Sequence, residues 1–292
     1  MRAVGRSGQG QVPSRCPGRR RENHSPCGGS AVKTYWLVPL LTVLAGCVSS
    51  GTSISEPLPQ PVSQQAMGNE ARNRARIHTE LGMAFLEDKN VAAALDEART
   101  AAAIDSSYPL AYNLFGLVYM EIREFAQAEK SFQQALSLAP NDPDISNNYG
   151  WFLCETKNYA KALSYFDIAM RNPFYAAPAL AMNNAAVCSS RMGNDTAAEN
   201  YLIGAVRLDP NNSRGVYLLA ELYYRGGRYG EARQRLGEFH RRNPVTAASA
   251  WLGLRIARKL GDRNEEARYL AQLRQRFPDS NESALLAQGR FE

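Results

Sequence analysis

Side chains suited to covalent or metal chemistry are few in this 292-residue chain: His24, His78 and His240, and Cys16, Cys27, Cys47, Cys154 and Cys188. A metal site needs several such ligands close together, and acid–base catalysis needs a base beside an orienting group. His78 and His240 lie 162 residues apart and His24 falls in an Arg-rich prefix, so neither arrangement is legible. HExxH, CxxC, GxSxG and glycine-rich phosphate loops are all absent from the sequence. The reading is a non-enzyme with no cofactor, no metal and no small-molecule substrate. Two kinds of thiol chemistry remain, acylation and disulfide formation.

Cys47 is placed for acylation. It ends an apolar run of about a dozen residues, Tyr35 to Gly46, preceded by Lys33. That run is too short for a bilayer span, which takes about 20 residues, but it suits a secretory signal. Its end, Leu44-Ala45-Gly46-Cys47, resembles the bacterial lipobox, in which the chain is cut before a cysteine that carries lipid. Residues 32–46 are therefore expected to be a lipoprotein signal peptide, with Cys47 the lipidated mature N-terminus. The other reading is an ordinary signal with a chance cysteine. Val48 follows Cys47 in place of the Asp that resembles an inner-membrane retention signal, so the expected address is the periplasmic face of the outer membrane. Several acyl chains anchor stably where one does not.

Residues 1–31 are rich in Arg, Gly, Ser and Pro and lack an apolar core. The expectation is a misplaced start, with translation beginning near Val32; a basic, nucleic-acid-binding extension is the competing idea. Residues 1–46 hold seven of the 34 bases and one of the 28 acids, leaving 27 of each in residues 47–292. A neutral body offers no nucleic acid a basic face. After Cys47 a Ser-, Pro- and Gln-rich stretch, 48–65, reads as a disordered part of a tether placed at 47–71, ahead of a folded domain at 72–292.

The domain repeats. Gly82, Gly116, Gly150, Ala186 and Ala220 follow one another at 34, 34, 36 and 34 residues. Ala94, Ala128, Ala162, Ala198 and Ala232 run twelve residues behind them, and Pro140, Pro210, Pro244 and Pro278 form a third column. The two extra residues fall near Pro173 and Pro178, a stretch expected to loosen or bend the array. A 34-residue period with small residues in two columns resembles the tetratricopeptide repeat. The expected fold is an all-α, right-handed superhelical solenoid of about six helix hairpins, at 75–108, 109–142, 143–176, 179–212, 213–246 and 247–280. A capping helix started by Ser280 or Asn281 should follow.

The first helices of such hairpins line a concave groove. One column there holds Asn113, Asn147, Asn183 and Tyr217, and the row one turn on holds Leu117, Trp151, Val187 and Glu221. Asparagine amides can hydrogen-bond an extended peptide and Trp151 can anchor an apolar side chain. Alternatively these residues only solvate and pack the groove, with Asn148 and Asn184 as structural partners. Cys154 and Cys188 occupy near-equivalent places in units three and four, so a disulfide stapling the two units across the insertion is expected, with two buried free thiols as the alternative.

Four strings, together with the lipobox and the cysteine pair, carry a further resemblance. They are Asn147-Asn148-Tyr149-Gly150-Trp151-Phe152-Leu153-Cys154, Asn172-Pro173-Phe174-Tyr175 with Pro178, Ala220-Glu221-Leu222-Tyr223-Tyr224 and Trp251-Leu252-Gly253-Leu254-Arg255-Ile256-Ala257-Arg258. The chain resembles the type IV pilus biogenesis lipoproteins of the PilF/PilW family. That resemblance implies a pilotin, which binds the pilus secretin and promotes its localisation and multimerisation in the outer membrane. The alternative is a scaffold for another envelope assembly, such as barrel assembly or recruitment of peptidoglycan enzymes.

Overall fold

The computed structural model describes residues 60–65 and 68–291. Among them are thirteen α-helices and no strand. The helices form six antiparallel hairpins: α1 (Glu70–Glu87) with α2 (Val91–Ile104), α3 (Pro109–Glu121) with α4 (Phe125–Leu138), α5 (Pro143–Glu155) with α6 (Tyr159–Arg171), α7 (Pro178–Arg191) with α8 (Asp195–Leu208), α9 (Ser213–Arg225) with α10 (Tyr229–Arg242), and α11 (Ala247–Leu260) with α12 (Arg263–Arg276). Helix α13 (Asn281–Ala287) caps the array, its N-cap Ser280 accepting from the Ser283 amide. The first helices touch one another along the array. No comparably close contact joins successive second helices among the described residues, so the first helices form the inner layer of an all-α superhelical solenoid.

Residue size sets how closely the helices of a hairpin approach. Ala94, Ala128, Ala162, Ala198 and Ala232 are all fully buried. A Cβ on Gly116 would lie 2.7 Å from the Phe132 ring, and one on Gly150 would lie 2.9 Å from Phe166. Where the small residue is Ala186 or Ala220, the position sixteen residues on is Leu202 or Leu236, in one shared cluster. In units two and three glycine faces an aromatic ring, and in units four and five alanine faces leucine; Gly82 of unit one faces Leu114 of the next unit instead. In unit six the same sixteen-residue pairing falls one position early, as Gly253 against Tyr269.

Every hairpin turns through one residue with positive φ: Lys89, Arg123, Lys157, Gly193, Gly227 and Gly261. The next amide reaches back five residues, as from Asn158 to the Leu153 carbonyl at 2.7 Å. This is the Schellman closure of a helix end. Asn90, Asn194 and Asp262 then cap the second helix with their side chains. Proline starts α3, α5 and α7, where its missing N–H breaks no helical bond.

Two expectations change. Residues 60–65 are not a free tether: the Val62 amide donates to Asp142 Oδ2 at 2.7 Å, Ser63 Oγ to Asp144 at 2.6 Å and Gln64 Nε2 to the Phe174 carbonyl at 2.7 Å. Val62 also packs against the apolar patch of Ala75, Ala101, Tyr108 and Ala111, a gain that a sequence rich in Ser and Pro does not advertise. Nor does the insertion loosen the array. Tyr175 is buried against Ala169 and Ala181, and α6 packs on α7 as successive hairpins do elsewhere. Residues 1–59, including Cys47, lie outside the described residues.

Candidate partner-binding groove

The asparagine column is buried rather than offered to a ligand. Asn113, Asn147 and Asn183 are 5%, 3% and 2% exposed. Asn148 donates to Asn113 Oδ1 at 3.2 Å, Asn184 to Asn147 Oδ1 at 3.0 Å, and Asn183 and Asn212 exchange amide bonds at 3.0 and 3.2 Å. Buried amides must find partners, and these find one another between hairpins. Their place is at the seam between adjacent hairpins, one helical turn before the partly exposed row. The expectation that they bond a peptide is corrected accordingly.

The row one turn on does face the groove. Leu117, Trp151, Val187, Glu221 and, continuing the same spacing, Arg255 are all partly exposed. Trp151 lies under the Arg191 guanidinium, 5.1 Å from the ring centroid, and Arg191 donates to Glu155 at 2.7 Å. Tyr217, at the end of the asparagine column, is half-buried against Phe239 with ring centroids 5.4 Å apart. Its hydroxyl bonds Glu221. Burial pushes the Glu221 carboxyl above the usual carboxylate range, while the Tyr217 bond, Arg225 and Arg255 pull it back. Between α7, α9 and α11 the groove deepens into a cavity of about 360 Å³, with Val187, Leu218 and Leu252 as apolar wall and Glu221, Arg225 and Arg255 at its rim.

Cys154 and Cys188 are paired as a disulfide, with Cα atoms 5.7 Å apart. The bridge joins α5 to α7 behind the groove, in the cluster that holds Phe152 and Phe166. It fixes the two first helices that flank the insertion.

The most enzyme-like cluster is His240, whose Nε2 lies 3.0 Å from Ser249 Oγ and whose Nδ1 lies 3.4 Å from the Tyr269 hydroxyl. Ser249 is fully buried and takes part in the capping box of α11, accepting from the Thr246 amide at 3.0 Å. Its hydroxyl is committed to a helix end and out of reach of substrate. His78 pairs with Glu97 at 2.6 Å across the first hairpin. Among the described residues no group of His, Cys, Asp and Glu is arranged to hold a metal ion.

Sequence profiles of the tetratricopeptide repeat match residues 113–176, 191–255 and 251–280. The type IV pilus assembly protein PilF of Pseudomonas aeruginosa is 30% identical over 247 residues, covering 84% of this chain and 94% of the relative. The crystal structure of PilW, a widely conserved type IV pilus biogenesis factor, superposes with a TM-score of 0.68 at 31% identity, over 75% of this chain and all of that one. The structure of Pseudomonas aeruginosa PilF gives 0.64 at 27% identity, over 76% of this chain and all of its own. Sharing its repeats with these relatives, and matched by them over three quarters or more of its length, the chain belongs to the PilF/PilW family of type IV pilus biogenesis proteins with tetratricopeptide repeats.

Proposed function

We propose that this protein is a non-catalytic pilotin. Its lipidated Cys47 places it on the periplasmic face of the outer membrane, and its groove binds the type IV pilus secretin and promotes assembly of the secretin ring. The observation that carries the reading is the 30% identity to PilF over 84% of this chain and 94% of that one. The groove supports it, since a stacked array of hairpins offers a long surface for a protein segment.

The mechanism is binding and local concentration. Acyl chains at Cys47 keep the groove near the membrane, raising the effective concentration of secretin subunits there. Residues 60–65 are docked on the body, so thirteen residue steps, Cys47 to Gln60, lie between the proposed lipid and the docked segment. At about 3.3–3.6 Å per step they reach at most roughly 45 Å. Leu117, Trp151, Val187, Glu221 and Arg255 are the proposed contact row.

Deletion of the gene, followed by outer-membrane fractionation and a blot for heat-resistant secretin multimers, tests the reading. Multimers should vanish and return with the wild-type gene, and Cys47→Ala should fail to restore them to the outer membrane. Unchanged multimers in the deletion would sink the pilotin mechanism.

A further inference from the structure

The last turns of the six first helices carry Glu87, Glu121, Glu155, Arg191, Arg225 and Lys259, spaced by 34, 34, 36, 34 and 34 residues. All six are exposed along one edge of the inner layer, and their sign reverses at the insertion between units three and four. Helix dipoles account for the bases, because positive charge is favoured at a helix C-terminus. They work against the three acids, which are therefore not there to stabilise their helices. Glu121 is answered by Lys89 at 2.9 Å and Glu155 by Arg191 at 2.7 Å. Beyond that junction the groove carries a surplus of guanidinium groups.

The surplus borders the cavity. Arg225 makes its side-chain contacts with Ser190 and, at 3.4 Å, with Asp195, in a setting open to solvent. Arg255 lies over the Tyr224 ring at 4.4 Å, and its buried Nε–H has no hydrogen-bond acceptor among the described residues. A buried donor left unpaired is costly, and a guanidinium prefers two parallel bonds to a carboxylate. Glu221 is the only acid of the contact row; it lines the same cavity, and its charge feels both Arg225 and Arg255. The walls beneath are aliphatic, and about 360 Å³ is at the lower end of ligand-site volumes, enough for one or two apolar side chains.

We infer that the groove over units four to six is a specificity site for a partner protein segment that places a large apolar side chain in the cavity and a neighbouring Asp or Glu on Arg225 and Arg255. Glu221 acts as an internal competitor for those two guanidinium groups until the partner's carboxylate arrives. The inference rests on the reading of this groove as protein-binding, but not on the partner being the secretin.

The test has two arms, both with the full-length chain. Displayed random dodecapeptides are selected against the detergent-solubilised protein, and the winners are titrated against Arg225→Glu, Arg255→Gln and Glu221→Gln, each checked for an unchanged melting curve. Winners should carry Asp or Glu within a few residues of Leu, Ile or Phe. Their affinity should fall about tenfold or more with either arginine change and rise severalfold with Glu221→Gln. A merely structural Glu221 would not give tighter binding when neutralised. No selected peptide, winners without acidic residues, or affinities indifferent to the three substitutions would overturn the inference. In the second arm the same variants replace the wild-type gene, and secretin multimers are blotted. Multimers that need the gene but ignore the arginine changes would remove the inference and leave the pilotin reading standing. Multimers indifferent to the gene, with the peptide arm as expected, would do the reverse.

Discussion

Asn184 donates its side-chain amide to Asn147 Oδ1 at 3.0 Å across the boundary between units three and four, and both side chains are buried. With the Asn148–Asn113 and Asn183–Asn212 bonds it forms a set of amide links between successive hairpins. In a solenoid, stability depends on such interfaces between neighbours.

Asn147→Ala should therefore act on stability and not on binding. It strands the Asn184 amide, at a cost of about 1–3 kcal/mol. Urea unfolding would read the loss, while affinity for groove peptides should stay within error. A selective loss of peptide affinity without destabilisation would restore Asn147 to the binding surface.

Gly116 and Phe132 should behave as a matched pair. Gly116→Ala puts a methyl group into the Phe132 ring and should cost about 1–3 kcal/mol. Adding Phe132→Leu recreates the alanine–leucine pairing of units four and five, and the double variant should be less destabilised than the two single losses combined. A double-mutant cycle by thermal or urea unfolding checks this, and strict additivity would contradict it.

Lys157 sits at φ 65° in a turn where units four to six use glycine. A side chain in the left-handed region costs roughly 1–2 kcal/mol, partly offset by the entropy glycine loses on folding. Lys157→Gly should stabilise the chain by about 0.5–1 kcal/mol, and Gly227→Ala should destabilise it by a similar amount. Opposite signs in calorimetry would show that the turn is not the limiting feature.

The Cys154–Cys188 bridge closes a loop spanning 34 residues. Loop-closure entropy alone gives about 3–4 kcal/mol for a link of that length. Reduction with dithiothreitol, or Cys154→Ala with Cys188→Ala, should lower the melting temperature markedly. Because the bridge lies behind the groove, selected peptides should still bind below the transition. Identical melting curves in oxidised and reduced protein would exclude a stabilising bridge.

The sequence alone determined the architecture. Three columns at one period, with their two-residue offset at the insertion, were enough to place six hairpins and the cap, because a repeat that must bury small residues against the same neighbours cannot hide its period. The turn column emerged only from the structure: Gly193, Gly227 and Gly261 mark half of it, and only the backbone reveals that Lys89, Arg123 and Lys157 share the same φ. What only the tertiary structure decided was which side of each first helix faces the groove. Asn147 and Trp151 are one helical turn apart, yet the first is sealed at a seam and the second half-open, a difference fixed by how closely neighbouring helices stack. The docking of residues 60–65 and the gathering of Glu221, Arg225 and Arg255 around one cavity belong to the same class. They join residues far apart along the chain, and no local pattern encodes contacts created by stacking.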